Sequence, residues 1–377
     1  MKNIIICCDG TQNQLDGYLT NVVRLFEVAL KDKEQVAFYD PGVGTMADSV
    51  LRTRVGKRWS LIKGLAFGSG LAENVTDAYR YLMRTYEDGD KVFLFGFSRG
   101  SFTVRVLAGM LHGVGLLHRG SENLLPYVWR HYRGIKVAGT DADESERKAA
   151  ADYDAATALL RRSFTRPCPV AFLGPWDTVG SVGMYGMNQA FAFTFENPSV
   201  AIVRQAVALD ERRAGFRGNM FKSDATEISP KRPRVMNVWF PGVHSDIGGG
   251  YPWNKQDSGL AMIAFAWMVR EAKAAGLKVD DAKVAALLAE CPPNPMAKKH
   301  ASLTWPWWAL MEFLPVRRFN WGTRKMKIRW PWQGFKPRTM IESPILHQSV
   351  KDRMAGDSNY RPPNLPPNHN FPTEDNP

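Results

Sequence analysis

Lys91-Val92-Phe93-Leu94-Phe95-Gly96-Phe97-Ser98-Arg99-Gly100 joins a strand-like run to a helix-like one. Residues 92–95 are unbroken apolar, too short for a helix and rich in strand formers, whereas 101–111 read as a helix. Between them Gly96, Ser98 and Gly100 spell G-x-S-x-G. Placed between strand and helix, that pattern reads as a nucleophile elbow. Its serine occupies a sharp, strained turn, and the flanking glycines let strand and helix approach closely. The turn lifts the hydroxyl clear of the sheet, where a histidine and a carbonyl can both reach it. The buried strand in front of the motif is what gives it weight.

Working outward, strand-like runs recur at 3–8, 35–39, 170–173 and 235–240, each opening into a turn. Helical patterns cover 22–30, 71–86 and 259–275. This alternation predicts an α/β fold, α/β-hydrolase-like, with a mostly parallel sheet flanked by helices. Loops at the carboxyl ends of such strands form the usual active-site rim. Asp9, Asp40, Ser98, Asp177 and His244 all fall there. Two stretches, 120–166 (with a charged, Ala-rich helix at 141–162) and 181–233, read as insertions of the kind that form lids. From 279 onward the pattern fades into Pro- and Trp-rich sequence. The expected division is therefore a catalytic domain over 1–278 and an irregular extension over 279–377 packed on it.

The 377 residues are 45% hydrophobic and 11% aromatic, enough for a sizeable core. The first residues form too short an apolar run for a signal peptide, and no run approaches a membrane span. Cys7, Cys8, Cys168 and Cys291 lack metal-ligand spacing and read as reduced structural thiols, so synthesis in a reducing cytoplasm is expected. The net charge of +12 is concentrated late: residues 301–340 hold eight Lys/Arg against Glu312. Nine aromatics, among them Trp305, Trp307, Trp308, Trp321, Trp330 and Trp332, share that stretch. Basic residues interleaved with Trp suit an anionic lipid surface. Nucleic acid is the less favoured reading. An ordinary tail wrapped over the core is the bland alternative.

A serine hydroxyl needs a base, and the base needs a carboxylate to orient it. In α/β-hydrolases the chain order is Ser, then Asp/Glu, then His. Downstream of Ser98, the apolar run 170–173 leads through Gly174-Pro175-Trp176 to Asp177, and the run 235–240 opens into a Gly-rich loop carrying His244. Of the four histidines after Asp177, His300, His347 and His369 lie in the irregular tail, which leaves His244 as the base. Asp246 is the rival acid, but a residue so near His244 on a tight loop seldom reaches triad geometry. Asp9-Gly10-Thr11 invites an aspartyl-phosphatase reading, which fails because Cys7 stands where the nucleophilic Asp belongs. Backbone N–H groups at Gly10 or Thr11, with that of Arg99, then become the expected oxyanion donors, braced by Asp9. No metal or organic cofactor is implied.

These residues carry a family resemblance. Cys8-Asp9-Gly10-Thr11, Thr20-Asn21-Val22, Tyr39-Asp40-Pro41-Gly42-Val43-Gly44-Thr45, Gly96-Phe97-Ser98-Arg99-Gly100, Trp176-Asp177-Thr178-Val179-Gly180-Ser181, His244-Ser245-Asp246-Ile247-Gly248-Gly249-Gly250-Tyr251 and Tyr360-Arg361-Pro362-Pro363-Asn364-Leu365 are the matching pieces. Together the chain resembles the α/β-hydrolase (Tle-like) domain of type VI secretion phospholipase effectors. Pro175 and Gln12 depart from the family pattern without touching the expected triad. The resemblance implies a Ser-Asp-His triad hydrolysing phospholipid acyl esters, with a secretion apparatus and an immunity protein as partners and export by a type VI route. Two other readings stay open: a non-catalytic lipid- or nucleic-acid-binding protein on a hydrolase scaffold, and a serine esterase for non-lipid esters.

Overall fold

Strands β1 (Asn3–Cys8), β2 (Gln35–Asp40), β3 (Lys91–Phe97), β4 (Val170–Trp176), β5 (Val200–Ala208), β6 (Val235–Phe240) and β7 (Ile345–Leu346) build one sheet. Its order is β7-β6-β5-β4-β3-β1-β2, and every neighbouring pair runs parallel. The computed structural model describes residues 1–10, 18–42, 69–135, 144–179, 191–213, 216, 218–222, 227–229, 232–303, 316–320, 325–329, 335–340 and 344–365.

Parallel strands need crossovers, and helices supply most of them. These are α1 (Asn21–Val28), α2 (Ser69–Thr85), α3 (Arg99–Val114), α4 (Leu125–Gly134) and α5 (Glu144–Phe164), followed by α6 (His244–Gly248), α7 (Gly259–Ala274), α8 (Asp281–Glu290) and α9 (Gln348–Gly356). Both sheet faces are covered, so strand residues of either parity are buried; β1 and β6 are buried throughout. Ile4, Ile6 and Leu94 pack with α2 and α3 on one face, while Ile5, Phe93 and Phe95 pack with α1 and α7 on the other. The sheet and its flanking helices make the fold α/β-hydrolase-like, as the alternation predicts.

Two expectations need correction. The stretch 181–233 is not one insertion, because β5 lies inside it and forms an inner strand of the sheet between β4 and β6. Arg204 and Gln205 interrupt its apolar pattern. The fold accommodates Arg204 by a buried pair with Glu271 of α7 at 2.7 Å, and Gln205 by donation to the Asn219 carbonyl at 3.0 Å. The second correction lies after 279, where regular structure continues. Asp280 caps α8 by accepting from the N–H groups of Ala282 and Lys283, and two residues of the tail form β7 on the sheet edge.

Register then positions the site. Phe97 pairs with Trp176, so Ser98 and Asp177 leave adjacent strands at the same level. The Ser98 N–H donates to the Trp176 carbonyl at 3.1 Å, and the Asp177 N–H to that of Ala206 at 2.8 Å.

Candidate active site

Ser98 stands at φ 57° and ψ −120°, a region that costs a non-glycine residue about 1–3 kcal/mol and is kept only by over-determining neighbours. Those neighbours are close. A Cβ at Gly96 would lie 2.5 Å from the Gly100 carbonyl oxygen, and one at Gly100 would lie 2.0 Å from that of Cys8. The Ser101 hydroxyl contacts two carbonyls, Gly96 at 2.6 Å and Trp176 at 2.8 Å, tying the helix start to both strands. Glycine at 96 and 100 is thus a steric requirement of the turn.

His244 opens α6 beyond β6. Gly242, at φ 118°, makes the turn before it, and a Cβ there would sit 2.4 Å from Asp246 Cβ. The ring lies stacked on Phe97, the residue before Ser98, with centroids 4.6 Å apart, and Phe216 meets it edge-on at 4.9 Å. Gly248 makes room for this, since its Cβ would fall 2.0 Å from the Phe97 ring. His244 Nδ1 is 2.5 Å from Asp177 Oδ2. A carboxylate at Nδ1 calls for Nδ1–H, which leaves the lone pair of the neutral ring on Nε2. Burial pushes the His244 pKa below its usual 6.5, Asp177 pulls it back, and Arg213 pushes it down again.

Asp177 is fully buried and adopts φ 40°. Its Oδ1 accepts from the Ala208 N–H at 2.8 Å. Arg338, itself 3% exposed, reaches both carboxyl oxygens, Nη2 lying 2.9 Å from Oδ2 and Nη1 bonding Oδ1. Burial raises the Asp177 pKa, but the Arg338 charge and the bond from His244 outweigh it and hold the carboxyl well below the usual carboxylate range. On the other side of His244, buried Glu211 accepts from the His244 N–H at 3.2 Å and pairs with Arg213 at 2.9 Å.

The rival acid faces elsewhere. Asp246 bonds the Val243 N–H at 2.9 Å and His300 Nδ1 at 2.6 Å, so it braces the loop against the tail and leaves His244 to Asp177. Asp9 is buried and accepts from Thr20 Oγ1 at 2.5 Å and Tyr39 Oη at 3.0 Å. Asn21 Nδ2 reaches the carbonyls of Ile247 and Ala261, both at 2.9 Å, which anchors α6 to α1 and α7. Gly10 departs from expectation: its N–H donates to Asp9 Oδ1 at 2.7 Å and is thereby turned to that carboxylate. Thr11, the alternative donor, lies outside the described residues. Half-buried Arg99 opens α3, where first-turn N–H groups lack intrahelical acceptors, and burial pushes its guanidinium down to about 10.

Arg338 and Glu211 were invisible in the sequence. Arg338 counted as one of eight tail cations and carries no motif of its own. Glu211 sits in Asp210-Glu211-Arg212-Arg213, which reads as a solvated charge run. Five of the six Trp named for the tail's surface reading lie within 304–308 and 330–332, and none of the six is among the described residues; Lys325, Lys327 and Arg329 fall on a strand, Lys325–Arg329, paired antiparallel with Val316–Asn320.

A strained serine at a strand–helix turn, with a buried His–Asp pair from two further strand ends of the same sheet, defines an α/β-hydrolase-type domain. The family follows directly: residues 2–271 match the model for the type VI secretion (T6SS) phospholipase effector, Tle1-like, catalytic domain, and the chain belongs to that family. An uncharacterized protein of Saccharomyces cerevisiae is 33% identical over 232 residues, 57% of this chain, and the match spans about a third (32%) of that relative's length. Among solved structures, an uncharacterized protein from Pseudomonas aeruginosa is 19% identical, covering 77% of this chain and 48% of that one, with a TM-score of 0.40. The Tle1 effector bound to the VgrG spike of the type 6 secretion system is also 19% identical, covering 66% and 51%, with a TM-score of 0.32.

Proposed function

We propose that the chain is a serine carboxylic-ester hydrolase of the phospholipase class, working through an acyl-enzyme. Ser98 Oγ attacks the ester carbonyl carbon while His244 Nε2 takes the hydroxyl proton. The tetrahedral adduct collapses, the bond to the leaving alcohol breaks, and His244 returns the proton to that alcohol. Water then gives its proton to His244 and attacks the acyl group on Ser98, releasing the acid and restoring the serine. Asp177 holds the Nδ1–H tautomer and stabilises the imidazolium. The Arg99 N–H, at the positive end of α3, and the loop at Thr11 receive the oxyanion.

One observation carries this reading: the 2.5 Å contact between His244 Nδ1 and Asp177 Oδ2, both buried, beside a serine forced to φ 57°. Membership of the phospholipase-effector family supports a phospholipid acyl ester as substrate, and a type VI secretion apparatus and an immunity protein as partners. Among the described residues no helix is long and apolar enough to cross a membrane. Access to lipid would come from peripheral contact by the basic, Trp-rich stretch 301–340. The deciding experiment is incubation of wild type and Ser98→Ala with mixed bacterial phospholipids, read by mass spectrometry. Lysolipid and free fatty acid with wild type alone are expected. Turnover of short esters but of no phospholipid moves the assignment to a non-lipid esterase. No turnover of either leaves a binding scaffold.

A further inference from the structure

The geometry points to Arg338 as a positioning residue of the active site: it fixes the Asp177 carboxylate and offsets part of its charge, which restrains the basicity of His244. This rests on the hydrolase reading above and adds a residue to it from outside the family match, which ends at 271.

Four donors converge on one carboxylate. Oδ1 takes the Ala208 N–H and Arg338 Nη1, and Oδ2 takes His244 Nδ1 and Arg338 Nη2. With both oxygens doubly engaged the carboxyl group cannot rotate, so the direction in which it meets the ring is set by the fork of the guanidinium. The arginine is fixed in turn. Its Nε donates to the Phe216 carbonyl at 2.9 Å and Nη1 to that of Ala208 at 3.2 Å. Asn364 Nδ2 straps the Arg338 carbonyl and the Leu209 carbonyl, both at 3.1 Å. Tyr360 Oη meets Asp210 Oδ2 at 2.8 Å, and the same oxygen accepts the Gly242 N–H at 2.7 Å. The stretch Tyr360-Arg361-Pro362-Pro363-Asn364-Leu365, for which the sequence offered no chemistry, is thus the clamp that seats Arg338.

The electrostatic consequence follows from sharing Oδ2. A lone buried carboxylate would favour the imidazolium strongly; one already paired with a guanidinium favours it less. The other charged groups facing His244 are Glu211 and Arg213 from the segment after β5, which pair with each other, while Asp246 on α6 is paired with His300. Arg338 is therefore the cation whose removal changes the charge that His244 meets across Nδ1. The benefit is a ring that stays neutral, and so competent as a base, in mildly acid conditions.

The test compares wild type with Arg338→Gln, Arg338→Lys and Asn364→Ala. Two quantities are read: the acid limb of kcat/KM for a short p-nitrophenyl ester, and the His244 ring titration by NMR on histidine-labelled protein. Arg338→Gln should move both to higher pH by on the order of one unit. Arg338→Lys keeps the charge and should leave the limb near wild type while lowering kcat by roughly tenfold through loss of the fork. Asn364→Ala, with the guanidinium present but its seat loosened, should move the limb in the same direction as Gln by less. A folded Arg338→Gln protein whose limb and titration coincide with wild type overturns the inference and leaves Arg338 a structural ion pair. Should that variant not fold, an unmoved titration in Asn364→Ala overturns it instead. Absence of ester turnover in wild type counts against the hydrolase reading, while the His244 titration still decides the role of Arg338.

Discussion

A buried carboxylate keeps its charge only where partners replace the water it has lost, and the cost of removing one partner reveals what the group does. Asp177 has that environment, and its partners include the ring of His244. Asp177→Asn is therefore expected to lower turnover by roughly ten-thousand-fold, largely by favouring the wrong His244 tautomer. Asp246→Asn should cost far less, because Asp246 serves His300. Steady-state kinetics on a soluble ester give the ranking, and the reverse order would transfer the acid role. Ser98→Ala should remove turnover by about a million-fold with an unchanged melting temperature. The pH dependence has a definite sign. The base must be neutral, low pH protonates it, and burial opposes protonation, so the acid limb of kcat/KM belongs below 6.5, the usual histidine value. A limb above that value would mean that Asp177 outweighs burial. Ser98, Asp177 and His244 were legible in the sequence because each closes an apolar strand and the elbow fixes the order. Arg338 was not, since its significance lies in a contact 161 residues away in the chain and in no local pattern.

Elements show the same division between local and long-range information. The strands β1 and β3 were legible because burial on both faces leaves continuous apolar runs, and β6 because Asn237 alone interrupts one. β5 was hidden by Arg204-Gln205, which an inner strand tolerates because α7 supplies Glu271 to Arg204 and the Asn219 carbonyl accepts from Gln205. The pair is almost wholly buried, with side-chain exposures of 3% and 6%. Glu271→Leu should therefore destabilise the fold by about 3–5 kcal/mol, as an uncompensated guanidinium is left inside. Adding Arg204→Met should recover much of that loss, even though three backbone carbonyls lose a donor. Urea unfolding of wild type, Glu271→Leu, Arg204→Met and the double variant forms the cycle. If the double variant is as unstable as the single, Arg204 matters through those carbonyls and hardly through its charge. β7 was beyond reach for a simpler reason: two residues carry no periodicity.

On the scale of the whole molecule, the +12 charge is an argument about surfaces and says little about fold. Part of it is internal, because Arg338 is spent on Asp177 and so leaves the set of cations offered to a partner. The remainder of the late cluster centres on the strand pair Val316–Asn320 and Lys325–Arg329, whose register sets Arg318 opposite Lys327. Each basic residue near an anionic bilayer contributes about 1 kcal/mol, and salt screens that attraction within a Debye length. Replacing Arg324, Lys325, Lys327 and Arg329 by Gln should then lower binding to phosphatidylglycerol vesicles by on the order of a hundred-fold or more at low salt. The difference should shrink at high salt, and soluble-ester turnover should hold, because the substitutions leave Ser98, Asp177 and His244 in place. Co-sedimentation of both proteins with vesicles at two salt concentrations reads it directly. Equal binding would make this stretch ordinary wrapping of the core, and lipid would then have to reach Ser98 by another face.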